Sequence, residues 1–283
     1  MILITGATGT IGSQVLRLLA ARGVPVRAMT RNPSGSQWPD GVDVVLGDFG
    51  DADSLDRAVD GIESAFLLTA PGGQAPDHDR ALVKAASAAG LRKLVKLSAI
   101  GTTDDPADGL PGSWHSAGEQ AVRESGLAWT LLRPAGFASN SLRWLAAIQA
   151  GEPVSNLTGN GMQGVVDPRD VAAVAVEALL SGDHEGRTYT LTGPELLSVP
   201  DQAAQLAAEL GREVRVVDVP LEVGREQMLA AGMDVSVVDV AIRGAALLRT
   251  GGAATLTADV ERVLGRPAGT FRAWAREDRD SFS

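Results

Sequence analysis

Short apolar runs alternate with amphipathic segments along the first half of the chain. Apolar runs bounded by glycine or proline predict strands, which we place at residues 2–5, 24–29, 42–46, 65–69, 93–98 and 129–133. Apolar residues at helical spacing predict helices between these strands, at residues 11–21, 52–59, 77–89 and 115–124. Strands that alternate with helices need crossover connections, which produce a parallel sheet covered on both faces. The pattern therefore predicts an α/β protein with a doubly wound parallel sheet, the Rossmann fold.

The second half of the chain is less regular and becomes mainly helical towards its end. We predict strands at residues 187–192 and 214–219, and helices at residues 168–180, 199–210, 221–231, 235–248, 258–264 and 270–280. This change predicts a dinucleotide-binding domain over residues 1–150 and a smaller, mainly helical portion over residues 151–283, interleaved with the core. The unusually apolar stretch over residues 228–248 is predicted to form a substrate lid.

Composition limits the class of function. The 283 residues carry a formal net charge of −10 and contain no lysine- or arginine-rich run, which argues against nucleic acids and anionic membranes as partners. No apolar run reaches the roughly 18 residues that a membrane span needs, and no basic segment precedes the apolar N-terminus. The chain has no cysteine, which excludes disulfides and thiolate zinc sites, and its three histidines are widely separated, so we predict no metal. We expect a cytoplasmic monomer or homodimer that acts on a small molecule.

The strongest motif follows the first strand and opens the first helix. It reads Gly6-Ala7-Thr8-Gly9-Thr10-Ile11-Gly12. Glycine is needed where the backbone turns sharply, where it approaches a pyrophosphate, and where the helix packs on the strand. The free N–H groups and the dipole of a helix N-terminus favour the phosphates. The motif therefore predicts a dinucleotide site that uses Gly6, Thr8, Gly9, Thr10, Ile11 and Gly12. The alternative is a glycine-rich turn with a structural role only.

The end of the second strand indicates which dinucleotide binds. An NAD site places an Asp or Glu about 20 residues after the glycines, but no acidic residue lies between Gly12 and Asp40. Arg31 occupies this region instead, and its guanidinium suits the 2′-phosphate of NADPH. The alternative is an arginine that only contacts solvent. Because ligands of open α/β sheets lie beyond the carboxyl ends of the strands, the predicted cofactor site also includes Asp48, Phe49, Thr69, Ala70, Pro71, Ser98 and Pro134.

These motifs resemble those of a known family. The glycine motif, Arg31, Gly47-Asp48-Phe49 and residues 125–134 are similar to the NmrA-like branch of the atypical short-chain dehydrogenases/reductases. The resemblance covers essentially the whole chain, and it continues through residues 166–172, 189–194 and 265–267. It implies a Rossmann fold that binds NADPH. The branch includes quinone oxidoreductases, isoflavone-reductase relatives, antibiotic-tailoring reductases and redox-sensing regulators without turnover, so the resemblance fixes the cofactor better than the activity.

The proton-donating pair of ordinary short-chain dehydrogenases is missing from the sequence. Those enzymes use a tyrosine with a lysine four residues later, whereas the single tyrosine, Tyr189, is followed at that spacing by Gly193. The matching place holds His115 and Glu119, as in the quinone-reductase-like members of the family. We predict that His115 and Ser98 are catalytic hydrogen-bond or proton donors and that Glu119 orients the imidazole. The alternative for His115 is a cap at the start of a helix.

Four residues are predicted to contact the substrate beside the nicotinamide. They are Trp114, Phe137, Asn140 and Trp144. Aromatic rings that stack on a flat ligand favour a planar substrate, and packing in the core is the alternative for these rings. We therefore predict an NADPH-dependent oxidoreductase of secondary metabolism, such as antibiotic biosynthesis, that transfers hydride to a ketone or quinone of a small polycyclic aromatic molecule.

Two other classes of function remain open at this point. One is a non-catalytic NADP-binding redox sensor that regulates a partner protein. The other is a nucleotide-sugar epimerase or dehydratase, which the missing Tyr/Lys pair disfavours.

Overall fold

The structure, a computed structural model, describes residues 1–70, 74–103 and 113–282. Contacts within the chain group it into two compact units. The first unit consists of Met1–Arg133 and Val171–Tyr189, and the second consists of Pro134–Asp170 and Thr190–Ser283. Each unit is therefore built from two separate segments of the sequence. The predicted division of function near residue 150 stays a prediction.

The strands of the described residues belong to two sheets. They are β1 (Ile2–Ile4), β2 (Val26–Thr30), β3 (Asp43–Leu46), β4 (Ser64–Leu67), β5 (Lys93–Leu97), β6 (Ala128–Pro134), β7 (Val154–Asn156), β8 (Arg187–Leu191) and β9 (Val216–Asp218). The larger is a parallel sheet in the order β3-β2-β1-β4-β5-β6-β8, and β7 pairs with β9 in a small one. The strand order reverses between β1 and β4, as in doubly wound folds. The predicted fold class is confirmed.

Helices connect most of the neighbouring parallel strands, and the last four helices follow β9 in succession. They are α1 (Gly12–Ala21), α2 (Ala52–Val59), α3 (Ala75–Ala88), α4 (Ser116–Glu124), α5 (Leu145–Ala150), α6 (Pro168–Leu180), α7 (Val199–Leu210), α8 (Leu221–Ala230), α9 (Val235–Arg249), α10 (Asp259–Leu264) and α11 (Phe271–Glu277). Within the described ranges, no helix is both long enough and apolar enough to cross a membrane.

The core of the first unit forms where helices bury an apolar face against the sheet. Leu55 of α2, Leu82 of α3 and Val122 of α4 join Leu3 and Leu94 of the strands in one cluster, and none of the five is more than 1% exposed. Burial of about 25 cal/mol per Å² of apolar surface is the main force that holds such layers together. This packing places the carboxyl ends of β1, β2, β4 and β5 along one edge of the sheet.

The second unit has its own apolar core. Leu206 of α7 packs with Phe271 and Trp274 of α11 and with Phe282 near the C-terminus, and the partly buried ring of Trp144 packs against the same cluster. A polar junction ties the start of α6 to the turn that follows α10. There the carboxylate of Asp170 accepts hydrogen bonds from the Arg266 guanidinium and the Gly269 N–H, each at 2.7 Å.

Two local features differ from the predicted elements. The predicted helix over residues 115–124 is split into a 3₁₀ turn, Ser113–His115, and the α-helix α4. The region after β6, for which no element was predicted, forms a 3₁₀ helix over Ala138–Trp144 that leads into α5. Short 3₁₀ segments at helix ends carry a weak sequence signal, because they are decided by the packing of neighbouring elements.

We expect Gly12→Ala to lower the free energy of unfolding by about 1–3 kcal/mol, the usual cost of overpacking. A Cβ at this position would lie 2.2 Å from the carbonyl oxygen of Gly6, and this backbone atom cannot move without distorting the turn. Urea unfolding of the cofactor-free protein, followed by tryptophan fluorescence, measures the loss.

Gly9→Ala is the matched control for this substitution. Its Cβ would lie 3.3 Å from the same oxygen, so only a small adjustment is needed and the loss of stability should be smaller. Equal losses in the two variants would contradict the close approach of α1 to the glycine turn.

Candidate cofactor and active site

The glycine motif forms a tight cradle between β1 and α1. Gly6 has a φ of 60°, which favours glycine, and its carbonyl oxygen accepts a hydrogen bond from the Gly9 N–H at 2.9 Å. Thr5, which precedes the turn, is bonded to the residue after β4. Its hydroxyl donates to the Leu68 carbonyl at 2.9 Å and accepts from the Leu68 N–H at 2.8 Å. The end of β4 therefore supports the shape of the cradle.

The first turn of α1 has amide groups that no side chain caps. Its N-cap residue, Ile11, provides no side-chain hydrogen bond, and no acidic residue lies in the first turn. Such amides carry the positive end of the helix dipole. Thr8, Gly9 and Thr10 are exposed, whereas the Ile11 side chain is buried. The cradle fits a pyrophosphate, because its backbone can approach the phosphates closely and donate to them.

A pocket of about 220 Å³ lies beside this cradle in the first unit. One wall comes from the glycine turn and from Ser13 and Arg17 of α1, and the other wall comes from residues 36–39. Ser13 and Arg17 are four residues apart, so they share one face of the helix. The Trp38 indole holds the second wall in place by donating to the Pro33 carbonyl at 3.0 Å. The pocket thus brings an arginine next to the cradle.

Arg31 lies directly after β2, at the carboxyl edge of the sheet, and is exposed. Strand β2 pairs with β1, which leads into the glycine turn. The described residues show no hydrogen bond or ion pair that orients the Arg31 side chain. Its role at the 2′-phosphate stays a prediction. Sequence reasoning missed Arg17, although its spacing from Ser13 on a helix that opens at the glycine motif was a usable signal.

Asp48 and Phe49 follow β3 and are held by local contacts. The Asp48 carboxylate accepts from the Gly50 N–H at 2.8 Å. The Phe49 ring stacks on His78 of α3, with ring centroids 5.3 Å apart and an interplanar angle of 14°. These contacts fix the position of Phe49 at the strand end. Contact of either residue with the adenine stays a prediction.

The other predicted cofactor residues differ in their surroundings. Thr69 is buried and donates its hydroxyl to Asp79 Oδ1 at 3.0 Å, and Ala70 is exposed. Pro71 lies outside the described residues. Pro134 is the buried last residue of β6 and belongs to the second unit. For none of these does a contact test the predicted role.

Ser98, at the end of β5, is bonded to a buried carboxylate. Its hydroxyl donates to Glu119 Oε1 at 2.5 Å. Arg133 binds both Glu119 oxygens, at 2.8 Å and 2.6 Å, and Arg123 donates to Oε2 at 2.9 Å. The structure corrects the prediction that Glu119 orients His115, because these three partners occupy both oxygens of the carboxylate. The Ser98 hydroxyl has only one proton, and it donates that proton in the hydrogen bond to Glu119. Ser98 can therefore donate to a substrate oxyanion only if its hydroxyl rotates away from Glu119.

A second buried ion pair lies beside the first. Lys96 Nζ of β5 is 2.6 Å from Asp79 Oδ2 of α3, and both side chains are 0% exposed. Gly118 of α4 sits directly against this pair, since a Cβ there would lie 2.0 Å from Asp79 Oδ2. Sequence reasoning missed the pair, because Asp79 and Lys96 lie in segments whose neighbourhood only the fold creates.

His115 lies one turn before these two ion pairs, at the N-cap position of α4. The residue is only 9% exposed, its side chain makes no capping hydrogen bond, and its Nδ1 has no hydrogen-bond partner among the described residues. The structure therefore corrects the alternative prediction that this side chain caps the helix. Burial, and then the positive charge of Lys96, hold the pKa of the imidazole well below its usual value, so the ring is uncharged at neutral pH.

The predicted substrate residues lie in both units. Trp114 packs edge-on against His115, with ring centroids 5.5 Å apart. In the second unit, Phe137 pairs through its backbone with Val166, Asn140 is exposed, and Trp144 packs against the apolar core. The Trp144 contact matches the core-packing alternative for this ring. Substrate contact stays a prediction for all four. No three His, Asp or Glu side chains of the described residues group as a metal site.

Comparison with known proteins identifies the family. A family model described as NAD(P)H-binding matches residues 6–181, more than half of the chain. The chain is 40% identical over 284 residues to the (4-alkanoyl-5-oxo-2,5-dihydrofuran-3-yl)methyl phosphate reductase of Streptomyces griseus subsp. griseus, with 100% of this chain and 99% of that protein covered. It is 36% identical over 284 residues to an NAD(P)H azoreductase of Xenophilus azovorans, with the same shares covered.

A solved structure agrees with these relatives. The NADPH-dependent quinone oxidoreductase QOR2 of Escherichia coli, crystallised with NADPH, superposes with a TM-score of 0.83 at 26% identity, over 98% of this chain and 99% of that one. The prediction of an NAD(P)H-dependent oxidoreductase is confirmed. The chain belongs to the NAD(P)H-binding family, and an NmrA structure at 21% identity shares its fold, with a TM-score of 0.79.

Proposed function

We propose that this protein is an NADPH-dependent reductase that delivers hydride to a ketone or quinone of a small conjugated, aromatic molecule. The observation that carries the proposal is the first turn of α1 behind the glycine cradle, which no side chain caps, beside a pocket lined by Arg17. Cradle and pocket together offer backbone amides for a pyrophosphate and a guanidinium for one further phosphate. The nicotinamide, when bound, supplies the hydride.

The preference for NADPH over NADH follows from charge. Arg17 and Arg31 are both cations on the side of the sheet where the cradle lies, and neither has an ion-pair partner among the described residues. No acidic residue is available between Gly12 and Asp40 to accept from the ribose hydroxyls of NADH. We propose that Arg31 and Arg17 both contact the 2′-phosphate, and that Asp48 and Phe49 flank the adenine.

The substrate class is supported by the chemistry that the relatives share. Their names describe reduction of an acylated furanone phosphate, an azo compound and a quinone, each of which has an electron-poor conjugated system that accepts hydride readily. For such acceptors the protein supplies mainly orientation, exclusion of water and one hydrogen bond to the developing negative charge, which is an oxyanion for a ketone or quinone. We assign that hydrogen bond to His115 rather than to Ser98, because the Ser98 hydroxyl already donates its proton in a hydrogen bond to Glu119.

We expect Arg31→Glu, and separately Arg17→Gln, to raise the KM for NADPH about 10- to 100-fold while the KM for NADH stays within about twofold. The loss of one charge-assisted hydrogen bond, worth about 1.5–3 kcal/mol, accounts for this range. Steady-state kinetics with both dinucleotides and one quinone measure the ratio.

Arg22→Gln is the matched control for these variants. Arg22 ends the same helix but pairs with Glu177 at 2.8 Å and lies outside the pocket. It should leave the ratio of the two KM values unchanged. If Arg31→Glu also leaves this ratio unchanged, the assignment of the 2′-phosphate site is wrong.

We expect His115→Leu to lower kcat with a quinone about tenfold or more, with the NADPH dissociation constant unchanged, because only the hydrogen bond to the reacting oxygen is lost. Stopped-flow absorbance of the reduced nicotinamide, with a panel of quinones, aromatic ketones and acylated furanones, measures turnover. His184→Gln is the control, because His184 Nδ1 contacts Tyr189 Oη at 2.9 Å, away from the predicted site residues. Complete inertness across the panel, with tight binding of both redox forms, would instead support a redox sensor.

A further inference from the structure

We propose that Glu119 is a positioning residue that holds the Ser98 hydroxyl as a hydrogen-bond acceptor for the nicotinamide nucleoside of the cofactor. The inference rests on the proposed function and deepens it, because it assigns the Ser98 side chain to the cofactor and leaves the substrate oxygen to His115. It also gives a role to a buried carboxylate that lies outside the glycine cradle and outside the pocket beside it.

The first step of the argument is that the Glu119 carboxylate joins one helix to the ends of two strands. Glu119 lies on α4 and is 0% exposed. Its Oε1 accepts from the hydroxyl of Ser98, which directly follows β5, at 2.5 Å. Arg133, near the end of β6, binds both carboxylate oxygens, at 2.8 Å and 2.6 Å. The Ser98 N–H also donates to the Leu132 carbonyl at 2.7 Å, so Ser98 is held by its backbone as well as by its side chain.

The second step is that these contacts determine the direction of the Ser98 hydroxyl. The bidentate contact with Arg133 is the geometry of a carboxylate with a guanidinium, and Arg123 donates to Oε2 at 2.9 Å. An ionised carboxylate has no proton to donate, so the hydroxyl is the donor in the contact between Ser98 and Glu119. Because a hydroxyl has a single proton, Ser98 presents its lone pairs to its other partners.

The third step is that the neighbours of Ser98 do not use up its lone pairs. A hydroxyl oxygen accepts two hydrogen bonds. The Thr102 hydroxyl lies 3.1 Å from Ser98 Oγ and donates to the Ala99 carbonyl at 2.8 Å, so it takes at most one of the two. The contact of Ser98 with Glu119 is shorter and charge-assisted, which keeps the proton there. At least one lone pair of Ser98 is therefore left for a ligand within the described ranges.

The fourth step identifies the ligand group by its hydrogen-bonding chemistry. Ligands of open α/β sheets lie beyond the carboxyl ends of the strands, where Ser98 is placed. A ketone or quinone oxygen has lone pairs only, and two acceptors repel each other. The nicotinamide nucleoside instead carries donors, which are the N–H groups of its carboxamide and the hydroxyls of its ribose. An acceptor fixed at the end of β5 therefore favours the cofactor over the substrate oxygen.

Glu119→Gln is expected to reverse the Ser98 hydroxyl. The amide nitrogen of the glutamine avoids the Oε2 position, because N–H groups of two guanidiniums point there. It takes the Oε1 position, where it faces a single guanidinium N–H and can donate to Ser98, whose hydroxyl rotates. Ser98 then spends a lone pair on the glutamine and turns its proton towards the ligand.

The test measures binding, not turnover. Isothermal titration calorimetry of the whole protein with NADP⁺ gives the dissociation constant. We expect Ser98→Ala and Glu119→Gln each to raise the Kd about 3- to 10-fold, the effect of one hydrogen bond to an uncharged group. In the Ser98→Ala background, Glu119→Gln should have no further effect, because it acts on the cofactor through the Ser98 hydroxyl. The same fold-change with and without Ser98 would show a purely structural role for Glu119 and would overturn the proposal.

An analogue of the cofactor distinguishes the two kinds of donor. In 3-acetylpyridine adenine dinucleotide phosphate, a methyl ketone replaces the carboxamide, so the N–H donors are gone and the ribose hydroxyls remain. If the carboxamide donates to Ser98, the loss of affinity caused by Ser98→Ala should disappear with this analogue. If a ribose hydroxyl donates, the loss should equal that with NADP⁺. Either result supports the acceptor role of Ser98, whereas an unchanged Kd for both ligands contradicts it.

Ser125→Ala is the matched control. Ser125 follows α4 at its other end, where its hydroxyl donates to the Val122 carbonyl at 2.7 Å, so its removal should leave the Kd unchanged. If circular dichroism shows that Glu119→Gln does not fold, the double variant Glu119→Leu with Arg133→Leu removes both charges of the buried pair. It should also raise the Kd, and only when Ser98 is present, because the Ser98 proton has lost its acceptor and turns towards the ligand.

These titrations separate the inference from the proposed function. If the Kd changes as expected and no ketone, quinone or azo compound is reduced, the proposed function fails and the role of Glu119 stands. If acceptors are reduced and Ser98→Ala leaves the Kd for NADP⁺ unchanged, this inference fails alone.

Discussion

The close backbone approach between Gly12 and Gly6 is the constraint on which the cofactor site depends. Helix α1 begins so near the turn after β1 that only hydrogen atoms fit between the two glycines. No side chain caps the first turn of this helix and no acidic residue lies in it, so a pyrophosphate can approach its backbone closely. The pocket lined by Arg17 exists because the same helix then runs along the wall formed by residues 36–39.

Two buried carboxylates organise the other end of the site. Asp79 and Glu119 are both 0% exposed, and each is neutralised by a basic residue from a neighbouring strand. A buried charge without a partner would cost several kcal/mol, so each pair fixes the distance between a helix and the sheet. The fixed pairs set the surroundings of Ser98 and His115. The Ser98 hydroxyl donates to Glu119, whereas Nδ1 of the buried His115 has no hydrogen-bond partner within the described ranges.

The site residues show where sequence reasoning succeeded and where it failed. The glycine motif could be found because local backbone geometry defines the turn that it forms. The position of Arg31 at a strand end could be predicted in the same way, whereas its contact with the cofactor stays a prediction. The pairing of His115 with Glu119 was wrong, although the spacing of four residues puts both on one helix face. Arg133, which occupies Glu119, comes from a different strand, and helical periodicity carries no information about that contact. For the same reason, the sequence pattern did not reveal the partners of Asp170. They are Arg266 and Gly269, which lie about 100 residues further along the chain.

The sequence by itself determined the alternation of strands and helices up to β6, the doubly wound sheet and the glycine turn, since periodicity and glycine placement act over a few residues. Only the tertiary structure decided which buried charges neutralise each other, which group accepts the Ser98 hydrogen bond and how far burial lowers the pKa of His115 from its usual value. These outcomes depend on electrostatic interactions between side chains that are distant in the chain but share a low-dielectric interior. There, burial and partner choice are set by the packing of whole elements against one another.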